Sequence, residues 1–248
     1  MIRVGIVGCC GKLAKQVIDI LENNENCVLT KAIARKGNLR IGDSVSSFTS
    51  YRKNSVIVSD DLKKCDDCDV LIDVSNRDSF MNINYDSYLY LKKPLIIATT
   101  GFSDEDNEKI EELSKYMSII KESNFSIELF YFIEAVKKFL SFDREIDVSV
   151  VETHHTQKKD APSGTALLIK NEMLSVKPDL NIDIVSVRVG SVCGEHSVIF
   201  ATKDGEEITF VHKVTTRNVF AAGIVDMIPR ILERDSGMYR IKDILYNE

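Results

Sequence analysis

The sequence predicts an α/β protein in two parts: a parallel sheet wound with helices, then a smaller α+β region on a mixed sheet. Three observations predict it. A β-rich run meets a glycine turn and a helical segment at the start, and strands and helical segments then alternate as far as Lys121. Beyond Ile146 the strands come grouped, with a hairpin signal between two of them.

Ile2 to Val7 is a short β-rich run, and Lys12 to Leu21 has helical spacing at Leu13, Val17, Ile20 and Leu21. Between them lies Gly8-Cys9-Cys10-Gly11, so that Gly5, Gly8 and Gly11 fall at every third position. A strand, a glycine turn and a helix open a Rossmann-like dinucleotide-binding domain, where glycines let a pyrophosphate sit on the helix N-terminus. Gly8, Cys9, Cys10, Gly11, Lys12 and Leu13 are the candidate contacts there. The second strand, Val28 to Ala34, ends on Ala34-Arg35-Lys36, without the acid that usually holds an adenosine ribose. Two cations, Arg35 and Lys36, favour the 2′-phosphate of NADPH over NADH; a solvated basic turn is the plainer alternative.

Ser55 to Val58 and Asp69 to Val74 read as the next strands, followed by a helix over Asp78 to Leu91 and a strand over Pro94 to Ala98. Ligands of a parallel sheet bind at the carboxyl ends of its strands, which makes Ser75, Ala98, Thr99 and Thr100 candidate cofactor contacts, or plain turns. A helix over Asp104 to Tyr116 and a strand over Ser118 to Lys121 complete this half. Asn124-Phe125-Ser126 then opens another helix, with Ser126 as candidate N-cap before Ile127, Phe130, Ile133, Val136 and Leu140.

Ile146 to Thr153 is a long strand, and further strands are expected over Ile182 to Val189, Ser197 to Thr202 and Glu206 to Val214. Asp204-Gly205 is the hairpin signal that makes this part mixed or antiparallel. Val219 to Tyr246 reads as mostly helical, with Pro229 as a kink or break.

Composition narrows the class. At 248 residues, 44% hydrophobic and 28% charged, the chain has the make-up of a globular protein with a full core. No apolar run is long enough to span a bilayer and the N-terminus lacks a signal-peptide pattern, so a cytoplasmic protein without membrane contact is expected. A net charge of −6 argues against nucleic acid as a partner. Cys9, Cys10, Cys27, Cys65, Cys68 and Cys193 are too scattered for a disulfide framework, and Cys65 and Cys68 form a single C-x-x-C with no second pair, a poor basis for a zinc site.

The densest chemistry lies in Glu152 to Ala166, ETHHTQKKDAPSGTA. Pro162 suits the first turn of a helix, which would leave the N–H groups of Ser163, Gly164 and Thr165 unpaired at the positive end of the dipole, a site for a carboxylate or phosphate. Lys158 and Lys159 add positive charge, and His154 and His155 add groups that exchange protons near neutrality. A capped helix after a solvated loop is the plain alternative. Set behind a dinucleotide domain, the stretch points to hydride transfer onto a small acidic substrate, with Lys158 as the natural proton donor and His154 and His155 binding, orienting or sharing that role. Metal-assisted hydrolysis is disfavoured, because adjacent residues of an extended segment point to opposite sides and His154-His155 is poor chelating geometry. His196 and His212 read as hydrogen-bonded structural histidines in strands. A nucleotide-binding sensor without turnover is the remaining alternative, and it would have no use for Lys158 and the histidines.

The run HHTQKKDAPSGTA, preceded by Glu152, resembles the signature of the dihydrodipicolinate reductase family. The similarity extends to Gly8-Cys9-Cys10-Gly11-Lys12, the Asp73 strand end, Thr99-Thr100-Gly101-Phe102, Asn124-Phe125-Ser126, Gly194-Glu195-His196, and His212-Lys213 with Arg217. The resemblance implies NAD(P)H-dependent reduction of a cyclic dicarboxylate, derived from 4-hydroxy-tetrahydrodipicolinate, in the diaminopimelate route to lysine. It implies a homotetramer, with a dinucleotide-binding domain over 1–125 and 217–248 and a substrate-binding and oligomerisation domain over 126–216. It implies acid catalysis by His154 and Lys158, substrate contacts from His155, Ser163, Gly164, Thr165 and Arg217, and cofactor contacts from Gly8, Lys12, Leu13, Ala98 and Thr100, with Asn124 and Phe125 on the cofactor side. The chain departs from the family at Ala34, where an acid is usual, at Ala98, where the loop usually begins with glycine, and in a short connection between Ser186 and Gly194.

Overall fold

The structure, a computed structural model, describes residues 1–142 and 145–246. The chain divides into two compact units, Met1–Phe125 with Phe220–Glu248, and Ser126–Val219.

In the first unit, β1 (Ile2–Val7) leads through the glycine turn into α1 (Lys12–Glu22), whose buried Ala14, Val17, Ile18 and Leu21 lie on one helical face. Strand β2 (Cys27–Ile33) pairs parallel with β1, and β3 is only Val58–Ser59, shorter and later than expected. The reason is local pairing. Val45 N–H bonds to Val56 O and Val58 N–H to Asp43 O, so the preceding segment folds back on itself before it can join the sheet.

Strand β4 (Val70–Asp73) is buried throughout, as a central parallel strand must be. The helix expected over Asp78 to Leu91 comes in pieces: α2 (Arg77–Ser79), a π-helical turn Phe80–Asn84, and α3 (Tyr85–Leu91). The widened turn buries Phe80 and Asn84. Strand β5 (Leu95–Ile97) follows, then α4 (Asp104–Ser114), started by a Ser103–Asp106 capping box, and β6 (Ser118–Lys121).

In the second unit, α5 (Ile127–Leu140) begins after Ser126, which occupies the N-cap position without a side-chain capping bond. Strand β7 (Asp147–His154), α6 (Gly164–Val176), β8 (Ile182–Arg188), β9 (Gly194–Ala201) and β10 (Glu207–Val214) follow. The sheet is mixed and four-stranded, order β10-β9-β7-β8, with β7 parallel to β8 and antiparallel to β9. Leu129, Ile133 and Val136 of α5 and Ala166, Ile169 and Met173 of α6 pack with Val148, Val150, Val198 and Phe200 of one sheet face. On the other face Val185 and Val211 remain half exposed.

The chain then returns to the first unit. Helix α7 (Asn218–Ile231) runs through Pro229 without a break, because that proline sits in the last turn and removes only one helical bond. The segment is not helical throughout: β11 (Gly237–Tyr239) precedes α8 (Ile241–Tyr246) and joins β6 in parallel. The finished sheet is seven-stranded, order β11-β6-β5-β4-β1-β2-β3. The Arg240 guanidinium forks onto the buried Glu122 carboxylate beside this join, at 2.5 and 3.1 Å.

Candidate functional site

The glycine turn of the first unit is shaped by close approach. Gly8 has φ +85°, and a Cβ there would meet the Ser75 backbone at 2.8 Å and the Val74 carbonyl at 2.9 Å. Only glycine fits. Its N–H bonds to Ile33 O at 2.8 Å, which fastens the turn to β2. Helix α1 starts at Lys12 from Gly11 with no capping side chain and no acid in its first turn, the bare positive end that a phosphate needs. A groove of about 380 Å³ runs past Gly8, Cys10, Gly11, Arg35, Lys36 and Ser75. Asp60, an acid that sequence reasoning did not place here, lines it as well.

The other strand ends do different work. Asp73 is fully buried and accepts from the Tyr88 hydroxyl, the Thr99 hydroxyl (2.5 Å), and the N–H and hydroxyl of Ser75 (3.0 and 2.8 Å). Burial pushes its carboxyl above the ordinary range, and these bonds pull against it. Thr99 and the Ser75 hydroxyl are thus spent on tying the ends of β4 and β5 together. Thr99 and Thr100 line a separate cavity of about 440 Å³ with Lys121 and Arg240. Cys9 and Phe125 are buried, Ala98 and Asn124 partly so, and Lys12 and Leu13 form the first turn of α1.

The polar centre of the second unit follows from strand periodicity. Residues at alternate positions share a face, so Val148, Val150, Glu152 and His154 of β7 all point inward, and the strand turns from apolar to ionisable toward its end. Register does the rest. His196 pairs with Glu152, His212 with His196, Ser186 with Glu152 and Arg188 with His154. One end of the inner face therefore collects a carboxylate, a guanidinium and imidazoles. His154 and His196 meet edge to face at 5.2 Å, and His196 and His212 stack at 6.3 Å.

Glu152, with no exposed surface, is the hub. It accepts from Arg188 Nη2 at 2.7 Å, from the Ser163 N–H at 3.3 Å and from His154 Nδ1. Burial alone would raise its carboxyl, but the bonds from Arg188, Ser186 and His154 outweigh burial and hold it down to about 2. Burial pushes His154 below its ordinary value against the pull of Glu152, and pushes His196 down to about 3.

The loop after β7 is pinned to the same pair. Arg188 Nη2 also donates to Asp160 O at 2.6 Å. Lys158 Nζ lies 2.8 Å from Asp160 Oδ2, and Arg217 Nη2 lies 3.2 Å from His155 Nε2. Helix α6 starts one residue beyond Ser163, whose hydroxyl accepts from Ala166 N–H and lies 3.4 Å from His196 Nε2. The expectation of free N–H groups is corrected at two positions: the Ser163 N–H donates to Glu152 and the Gly164 N–H to the Asp160 carboxylate, and Pro162 precedes the helix instead of starting it. Around Gly164 a Cβ would find open space.

His154, Ser163 and the Lys158 loop thus come together, with His155 and Arg217 paired beside them. Sequence reasoning missed Arg188 as the counter-ion, and it read His196 and His212 as separate structural residues. The signal for all three was the alternation of their strands, which becomes usable only once register is known. Glu152, His154 and His196 offer ligand atoms within 4.8 Å of one another. The carboxylate already carries Arg188 and the Ser163 N–H on Oε1 and His154 Nδ1 on Oε2, so a dication there would break the His154 bond and stand close to a guanidinium; the arrangement serves proton and hydrogen-bond chemistry better than metal binding.

A wound parallel sheet with a glycine turn facing a groove, followed by a unit bearing an ionised carboxylate beside a cluster of imidazoles, is the build of a pyridine-nucleotide-dependent oxidoreductase. Residues 2–125 match the family described as dihydrodipicolinate reductase, N-terminus, and residues 127–245 its C-terminus. The chain belongs to the dihydrodipicolinate reductase family. It is 32% identical to the 4-hydroxy-tetrahydrodipicolinate reductase of Buchnera aphidicola subsp. Schizaphis graminum, over 98% of this chain and 96% of that one. It is 31% identical to the enzyme of the same name from Zymomonas mobilis, over 98% and 97%. Among solved structures it resembles the dipicolinate-bound dihydrodipicolinate reductase from Paenisporosarcina sp. TG-14, with a TM-score of 0.80, 25% identity and 97% of each chain covered.

Proposed function

We propose that this chain reduces the cyclic dicarboxylate derived from 4-hydroxy-tetrahydrodipicolinate to tetrahydrodipicolinate, in the diaminopimelate route to lysine. The observation that carries the reading is the lock on the family's signature loop: Glu152 and Arg188 hold His154, Asp160 and Ser163, and so fix the segment that bears Lys158. A bound reduced nicotinamide supplies the hydride. The first unit binds the nucleotide, its pyrophosphate at the Gly8–Leu13 turn. The second unit binds the dicarboxylate through His155, Gly164, Thr165 and Arg217, and Lys158 and His154 carry the proton chemistry. A sensor without turnover would have no use for a buried, ionised Glu152–Arg188 pair, whose desolvation is costly.

Arg35 and Lys36 on the groove favour NADPH, and Asp60 beside them is an acid that a ribose diol can use, so NADH remains a second substrate. The open sheet face with Val185 and Val211 supports self-association, as a homotetramer by family resemblance. The test is nicotinamide oxidation, followed by absorbance, with the product of dihydrodipicolinate synthase and each nucleotide in turn. Substrate-dependent oxidation is expected, and none with either nucleotide would overturn the reading. Replacing Arg35 and Lys36 together by Ala should raise KM for NADPH by roughly tenfold or more while sparing NADH; an equal loss for both refutes the 2′-phosphate contact.

A further inference from the structure

His154 belongs to the reaction site in the reading proposed above, and its chemistry there turns on which ring nitrogen carries the proton. We propose that Glu152 and Arg188 are positioning residues that fix His154 as its Nδ1–H tautomer, leaving Nε2 bare as an acceptor beside Gly194.

The geometry carries it. His154 Nδ1 faces Glu152 Oε2, and an ionised carboxylate only accepts, so the ring must donate there. Glu152 stays ionised because its other oxygen takes Arg188 Nη2 at 2.7 Å and the Ser163 N–H at 3.3 Å. On the far side of the ring, a Cβ at position 194 would come within 3.2 Å of His154 Nε2, so glycine keeps that nitrogen clear. The other groups that act on the ring are Lys158 of the loop, Arg188 of β8, and His196 of β9, which has His212 of β10 behind it. All are cationic or become so on protonation, and they oppose a second proton on His154. In the resting protein His154 therefore accepts at Nε2, the substrate group that it meets must present an N–H or O–H, and proton delivery falls to Lys158.

Glu152→Gln separates this tautomer role from packing. The glutamine is nearly the same size, but Arg188 and the Ser163 N–H require its carbonyl oxygen on their side. Its NH₂ then faces His154 Nδ1, which must become the acceptor. The experiment is long-range ¹H–¹⁵N correlation on the full chain with ¹⁵N-labelled histidine. There are 4 histidines, and His154→Asn assigns the relevant one. The wild type should show His154 protonated at Nδ1 and bare at Nε2 at neutral pH. Glu152→Gln should invert the pattern and lower kcat by roughly tenfold or more with KM for NADPH little changed. Arg188→Lys, which keeps the cation, should retain the wild-type tautomer. A wild type protonated at Nε2 overturns the proposal, as does a Glu152→Gln chain that keeps both Nδ1–H and full turnover. Should Glu152→Gln fail to fold, the wild-type and Arg188→Lys spectra decide. A wild type inactive on the dicarboxylate sinks the proposed reaction and leaves the tautomer result standing.

Discussion

Lys158 holds its ammonium 2.8 Å from Asp160 Oδ2, and the Asp160 carbonyl in turn accepts from Arg188. The ion pair holds the Asp160 carboxyl below its ordinary range and keeps the ammonium on the loop. Lys158→Ala should therefore lower turnover by roughly two orders of magnitude while leaving pyridine-nucleotide binding nearly intact, as single-turnover kinetics and nucleotide titration would show. Near-normal turnover would remove Lys158 from the proton-donating role. At this scale the sequence was legible where chemistry is local: His154, Lys158 and Ser163 stand within one short stretch. It was illegible where chemistry crosses strands. Arg188 and His196 lie far along the chain from Glu152, and nothing in their own neighbourhoods marks them until β8 and β9 bring them alongside it.

Elements repeat the pattern. The glycine turn was readable because strand, turn and helix adjoin in sequence, and the structure adds the reason for Gly8: φ is +85° and a Cβ there would run into the Ser75 backbone. Gly8→Ala should destabilise the protein by about 1–3 kcal/mol, read from denaturant midpoints, and should weaken nucleotide binding further by pushing the turn away from Ser75. A variant with unchanged midpoint and affinity would show that the turn tolerates a side chain. Boundaries were harder to read where local pairing competes with the sheet, as at β3, or where a short strand interrupts helical sequence, as at β11. Ser126 illustrates a third cause: it stands where an N-cap was expected, yet its hydroxyl makes no capping bond and lies 3.4 Å from His212 Nε2 of β10, a partner distant in sequence.

For the molecule as a whole, the buried ionisable cluster makes stability depend on acid in a stated direction. Glu152 is held at about 2 against an ordinary value of 4.5, and burial pushes His196 down to about 3 from 6.5. Each group binds fewer protons folded than unfolded within its window, so stability rises with pH across both. Acidification should cost stability through His196 from pH 6.5 downward, and through Glu152 from 4.5 downward. Urea midpoints should fall between neutral pH and about pH 5, and His196→Asn should flatten that fall; a flat wild-type profile would mean that His196 is not kept neutral. The two-part α/β plan was legible as a whole, because alternation followed by grouped strands is a long-range rhythm that survives errors at single boundaries. The closure of the parallel sheet by β11 was not, and it matters at synthesis. A nascent chain leaving the ribosome exposes β6 as a bare strand edge while all of the second unit is still being made. That edge is covered only when Gly237–Tyr239 emerges and Arg240 reaches Glu122, so the first unit to be started is the last to be finished.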